Sequence, residues 1–159
     1  MTSKTRRGFT LIELLVSLTL LALLASVAVP LNDLVKLRAR EAELRQALTA
    51  IRSALDSYKR VYDAGHISPV IGASGYPPDL RVLVDGVTDI KSLNGDKIYF
   101  LRKLPSDPMC ECSDTGPEQT WETRSYDSDA DSFTSGKDVF DIRSTSTKEG
   151  IDGTPYRDW

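Results

Sequence analysis

The pattern of apolar and polar positions changes once along this chain, and the change divides it. From Phe9 to Leu31 the sequence reads FTLIELLVSLTLLALLASVAVPL, apolar on every side, with Glu13 its only charged residue. A run of about 20 apolar residues or more can cross a hydrocarbon core as a helix. Beyond it, Leu34, Leu37, Leu44, Leu48, Ile51, Leu55, Tyr58 and Tyr62 recur at spacings of three, four or seven. That spacing is one face of an amphipathic helix. Arg38, Glu41, Arg45, Arg52, Asp56 and Arg60 are expected on the opposite, solvent face. Neither proline nor glycine interrupts Asn32 to Ala64. Counted from Phe9, the helix extends over about 54 residues, roughly 80 Å at 1.5 Å per residue. Its first half suits lipid or a helical bundle; its second half needs a domain to cover it.

Gly65 ends the helical pattern, and Ser68 to Pro78 is rich in turn residues. Asp79 to Val84 suits a short helix with Leu80 and Leu83 turned inward. Ile98 to Leu101, Trp121 to Tyr126 and Val139 to Arg143 are strand candidates. Asp127 to Lys137 and Ser144 to Arg157 are expected as loops. The fold class is therefore α+β: a long N-terminal helix packed on a small antiparallel sheet with C-terminal loops. The expected division is 1–8 as a basic leader, 9–31 as a transmembrane and assembly helix, and 32–159 as an α+β domain.

Charge and composition narrow the function. The net charge of the 159 residues is −3, and only one histidine and two cysteines are present. No basic footprint suited to nucleic acid stands out, and few ingredients for catalysis are available. No active site is expected. Lys4, Arg6 and Arg7 precede the apolar run without any acid, which favours a cytoplasmic N-terminus. Lys36, Arg38 and Arg40 lie on the far flank, mixed with Asp33, Glu41 and Glu43.

The densest chemistry is Arg7-Gly8-Phe9-Thr10-Leu11-Ile12-Glu13. Glycine beside the membrane offers a protease an unhindered backbone, and cutting after Gly8 exposes a positive amine on Phe9. Glu13 stands four residues on, on the same helix face. A lone carboxylate in a lipid-facing helix costs about 2.5–3.5 kcal/mol at mid-membrane and less near an interface. The Phe9 amine, of the same helix or of a neighbour shifted along the axis, is its nearest partner. Two plainer readings stand beside this one. One is an ordinary secretory signal cut at Ser26-Val27-Ala28, and the other is a single-pass anchor. Neither accounts for Gly8, Phe9 and Glu13 in this order.

Gly8-Phe9-Thr10-Leu11-Ile12-Glu13 resembles the processing site of type IV prepilins and type II secretion pseudopilins. The resemblance implies cleavage between Gly8 and Phe9 by an inner-membrane prepilin peptidase, which also methylates the Phe9 amine, and an assembly role for Glu13. Pro30 removes one helical hydrogen bond near the end of the apolar run. In the resembling family a proline at this place is where the helix unwinds on entering a filament. Further patches are similar to the major pseudopilins of type II secretion. They are Tyr76-Pro77 with Leu80 and Leu83, Tyr99 to Pro108, Phe140 to Ser144, and Trp159 at the end. The resemblance implies a single-pass inner-membrane protein with its domain in the periplasm. It would polymerise with copies of itself and with minor pseudopilins, served by a polytopic platform protein and an assembly ATPase. A type IV pilin of a surface filament, and an anchored domain that never polymerises, are the alternatives.

Members of that family carry a calcium loop rich in glycine and aspartate after the strand corresponding to Phe140–Arg143. Here the segment runs from Ser144 to Gly153, with Asp152 and Glu149 its only acids. A second calcium candidate is Asp127, Asp129, Asp131 and Asp138, with Ser135, at the spacing of a calcium loop of about 12 residues. It departs from that pattern: Ser132 stands where glycine is needed and Asp138 where a bidentate glutamate belongs. A solvated acidic loop is the competing reading. Cys110 and Cys112, one residue apart, are expected either as a local disulfide or as free thiols. His66 is expected as a cap or surface residue.

Overall fold

The computed structural model describes residues 8–112, 114–129 and 131–159, and for residues 27–30 the backbone alone. Two compact units are present, 1–39 and 40–159. A single helix, α1 (Leu11–Asp63), contributes to both.

The start and stop of α1 follow from local chemistry. Thr10 caps it: the Glu13 amide donates to the Thr10 carbonyl at 3.1 Å and lies 3.3 Å from the Thr10 hydroxyl. Thr-x-x-Glu is the sequence form of a capping box, and an acid in the first turn also suits the helix dipole. At the other end Gly65 has φ +73°. Its amide donates to the Tyr62 carbonyl at 2.8 Å, and the His66 amide to the Val61 carbonyl at 3.2 Å. Those two bonds make a Schellman termination, which glycine accommodates without strain. His66 is thus a cap through its backbone. Its ring Nδ1 lies 2.9 Å from Asp89 Oδ1.

In the second unit the stripe of α1 becomes the core. Leu44, Ala47, Leu48, Ile51, Ala54, Leu55 and Tyr58 are buried, and so are Leu80, Leu83, Leu104, Trp121, Val139, Ile142 and Tyr156 from the rest of the domain. Burying a leucine or isoleucine stabilises by about 1.5–3 kcal/mol, so the four such positions among these seven, Leu44, Leu48, Ile51 and Leu55, commit this half of the helix to a domain. Leu34 and Leu37, in the first unit, are only half-buried.

The covering layer is built of short pieces. Helix α2 (Val82–Asp85) buries Leu83 as expected, but starts three residues later and ends one later than the expected 79–84. Val87–Thr88 (β1) pairs antiparallel with Lys97–Ile98 (β2), and Trp121–Arg124 (β3) with Asp141–Ser144 (β4). The expected single small sheet is therefore two separate ribbons. The strand expected over Ile98–Leu101 stops at Ile98 because the Phe100 and Leu101 amides both turn to the Leu83 carbonyl, at 3.0 and 2.9 Å. In the β3–β4 ribbon, Glu122 lies opposite Arg143, and the guanidinium donates to both carboxylate oxygens at 2.8 and 3.0 Å. This two-pronged pairing fixes the register.

One buried acid ties these pieces together. Asp107 accepts from the Met109 amide at 2.8 Å and from the Ser144 hydroxyl at 2.6 Å, while its own amide donates to Thr120 Oγ1 at 2.9 Å. The Trp121 indole donates to the Pro105 carbonyl at 2.8 Å. Pro105-Ser106-Asp107-Pro108 is thus a tie point between the 105–120 loop and β4. A buried carboxylate is tolerated when hydrogen-bond donors surround it in this way.

Candidate functional site: the N-terminal helix and the loops of the domain

Gly8 is exposed and lies before the first turn of α1, with open space where a Cβ would stand. Phe9 is 80% exposed. The expected scissile bond therefore lies in non-helical, exposed backbone ahead of the Thr10 cap. Glu13 follows in the first turn and is exposed.

Every leucine, isoleucine and valine from Leu11 to Leu24 is more than half exposed. The segment is long and apolar enough to cross a membrane. So much contiguous apolar surface is incompatible with water and calls for lipid or sister helices. Its few hydroxyls are satisfied within the helix. Ser17 donates to the Glu13 carbonyl at 2.6 Å, Thr19 to Val16 at 2.8 Å and Ser26 to Leu23 at 2.8 Å. The span thus presents no unpaired donor from these side chains to an apolar surrounding. Pro30 falls within α1, but its side chain lies outside the described residues, as do Lys4, Arg6 and Arg7 of the leader.

The remaining candidates fall in the second unit and do not converge on one place. Asp127 pairs with Lys137, Oδ2 to Nζ 2.7 Å. Asp129 and Asp131 are exposed. Asp138 is buried and accepts from the Ser74 hydroxyl at 2.5 Å, the Ser125 hydroxyl at 2.7 Å and the Tyr126 amide at 2.8 Å. Burial alone would raise its pKa. The bonds from Ser74, Tyr126 and Ser125, with Lys137 nearby, outweigh burial and hold it below the usual carboxylate range. Among the described residues no three of histidine, cysteine, aspartate or glutamate stand close enough to hold a metal. Cys110 and Cys112 are joined by a disulfide, their Cα atoms 5.2 Å apart.

The polar face of α1 was expected in solvent, but Glu41 is buried and Arg52 is only partly exposed. Glu41 is 8% exposed, its Oε1 accepting from the Ile151 amide at 2.8 Å and the Tyr156 hydroxyl at 3.1 Å. Arg52 donates to Asp141 Oδ1 at 2.8 Å and to the carbonyls of Ile142 and Trp159, both at 3.0 Å. Arg45 lies over the Trp159 ring, 4.2 Å from its centroid, and 3.5 Å from Asp152 Oδ2. Burial, with the Glu41 carboxylate beside it, pushes the Tyr156 hydroxyl up to about 12. Together these side chains clamp the 141–159 segment onto α1. Spacing held the signal: Glu41, Leu44, Leu48, Ile51, Leu55 and Tyr58 are alternately three and four residues apart, so Glu41 lies on the buried stripe despite its charge.

Residues 3–29 match the family model of the prokaryotic N-terminal methylation motif. The N-terminus thus carries a type IV prepilin-like signal. That signal marks a chain for a prepilin peptidase and for assembly of the pilus kind, and the proteins that bear it are structural subunits rather than enzymes. With the apolar face of α1, it makes the segment a membrane-anchoring one. No curated protein and no solved structure matches the chain.

Proposed function

We propose that this chain is a structural subunit of a type II secretion pseudopilus. It is cut between Gly8 and Phe9, methylated on the Phe9 amine, and polymerised through α1 in the inner membrane with its domain in the periplasm. The observation that carries the reading is the methylation signal set directly on a helix whose apolar surface is left uncovered. Sister helices would cover that surface in a filament. Glu13 would meet the new amine of a neighbour, so the stagger between subunits is set by the pairing of opposite charges in a medium where neither is tolerated alone. The motion is mechanical, a growing rod that drives exported proteins through an outer-membrane channel. Copies of the chain, minor pseudopilins, a platform protein and a cytoplasmic ATPase are its partners.

The secretion reading, as against a surface pilus, is supported by the patches similar to major pseudopilins. In the domain they supply Pro77, Leu80, Leu83, Leu104, Asp107, Ile142 and Ser144 to the interior. Deleting the gene separates the two: exported proteins stranded in the periplasm with twitching motility intact support secretion, and the reverse outcome supports a pilus. Mass spectrometry of the native N-terminus is expected to find methylated Phe9. A chain beginning at Met1 or near Val29 removes the filament reading in either form.

A further inference from the structure

We propose that at both calcium candidates, the 144–153 loop that the resemblance implies and the 127–138 loop picked out by its spacing, cationic side chains of the chain itself take the ion's place: Arg45 beside Asp152, and Arg124 in the 127–138 loop. The domain then holds both loops without a divalent ion.

Calcium takes about six to eight oxygens, carboxylates and backbone carbonyls together, turned toward one point. Among the described residues neither loop gathers three acids close enough to hold an ion: Asp129, Asp131 and Glu149 stand exposed, and the other acids already serve other groups. In the first loop Lys137 holds Asp127 at 2.7 Å, and Asp138 faces inward to Ser74, Ser125 and the Tyr126 amide. The carbonyls of Ser128 and Asp129 also face a donor. Arg124 Nη2 donates to the Asp129 carbonyl at 3.1 Å and lies 3.5 Å from that of Ser128. The Asp129 carbonyl also accepts from the Ser132 amide at 3.0 Å. Arg124 projects from β3, where its Cζ also lies 5.7 Å from the centre of the Phe140 ring.

The second loop uses the same device. Asp152 Oδ2 faces Arg45, and Oδ1 accepts the Thr154 amide at 2.9 Å. Glu41 takes the Ile151 amide, and the Gly150 amide and the Thr154 carbonyl bond each other at 2.9 Å. A Cβ on Gly150 would stand 2.7 Å from the Trp159 ring, so the room beside the loop is filled by that ring. The two loops differ in strength. Arg124 grips backbone from a strand, whereas the Arg45–Asp152 pair is more than half exposed and is screened by water.

The test uses the full chain in detergent micelles, stripped with a chelator and then supplied with calcium. Thermal melting is followed by circular dichroism. Chymotryptic cleavage after Phe133 and tryptic cleavage after Lys148 are timed by mass spectrometry. The expected result is that melts and both cleavage rates coincide with and without calcium. A lower melting temperature in chelator, or faster cleavage of either loop, overturns the proposal. Arg124→Gln is expected to speed cleavage after Phe133 about tenfold, the loss of one charge-assisted hydrogen bond. Arg45→Gln should speed cleavage after Lys148 about threefold. Rates equal to the parent's in both variants overturn the role given to the two arginines.

Discussion

Leu11–Leu24 and Leu44–Tyr58 belong to one helix, both carry leucines, and have opposite fates. In the first stretch the apolar side chains stand bare all round; in the second they vanish beneath a domain. Hydrophobicity alone does not explain the difference. The first stretch is apolar in every direction, so no single layer of protein could cover it, and only a surrounding medium of lipid or sister helices will do. The second confines its apolar residues to one stripe, which a few short elements can roof. Side chains of the same kind therefore meet a surrounding medium in one stretch and the domain's own core in the other.

That contrast can be broken by experiment. The largest effect is expected from Glu13→Ala, which should leave membrane insertion intact and lower filament yield tenfold or more, given about 2.5–3.5 kcal/mol for an unpaired charge in lipid. Normal yield, measured by shearing and immunoblotting, would remove the amine–carboxylate pairing. Next come paired truncations: Ile51→Ala should cost the domain about 2–5 kcal/mol in denaturant unfolding. Leu18→Ala should leave the domain's unfolding unchanged while weakening assembly. Equal effects would erase the distinction between the two stretches. The smallest effect concerns the clamp. The Tyr156 hydroxyl is raised from 10.0 to about 12. A raised pKa means its contribution is complete below pH 10 and lost as pH climbs through about 12. Tyr156→Phe should accordingly melt somewhat below the parent at neutral pH. The gap should close in that alkaline window, and a constant gap would show that the hydroxyl does not titrate with folding.

Much of this architecture was legible before any coordinates. The end of α1 was read from Gly65 and its two characters from the periodicity, while its start, counted from Phe9, falls two residues later behind the Thr10 cap. The N-terminal methylation motif, matched over residues 3–29, was legible too, because such a signal is local sequence. The strands were less so. β2 loses the residues after Ile98 because α2 competes for their amides through the Leu83 carbonyl, a contact between segments that no local pattern encodes.

What the sequence by itself determined is what depends on neighbours along the chain: helix period, caps, the uninterrupted apolar span and the recognition motif before it. Only the tertiary structure decided where the charges went. Glu41 looked like a solvent residue by type, yet its place on the stripe buries it against Ile151 and Tyr156. Arg52 bridges Asp141 and Trp159, and Asp107 gathers donors from Met109 and Ser144. A charge is buried only where distant parts of the chain bring hydrogen-bond partners to it. Those partners are separated by up to 115 positions, as Glu41 and Tyr156 are, and nothing local to either residue announces the other.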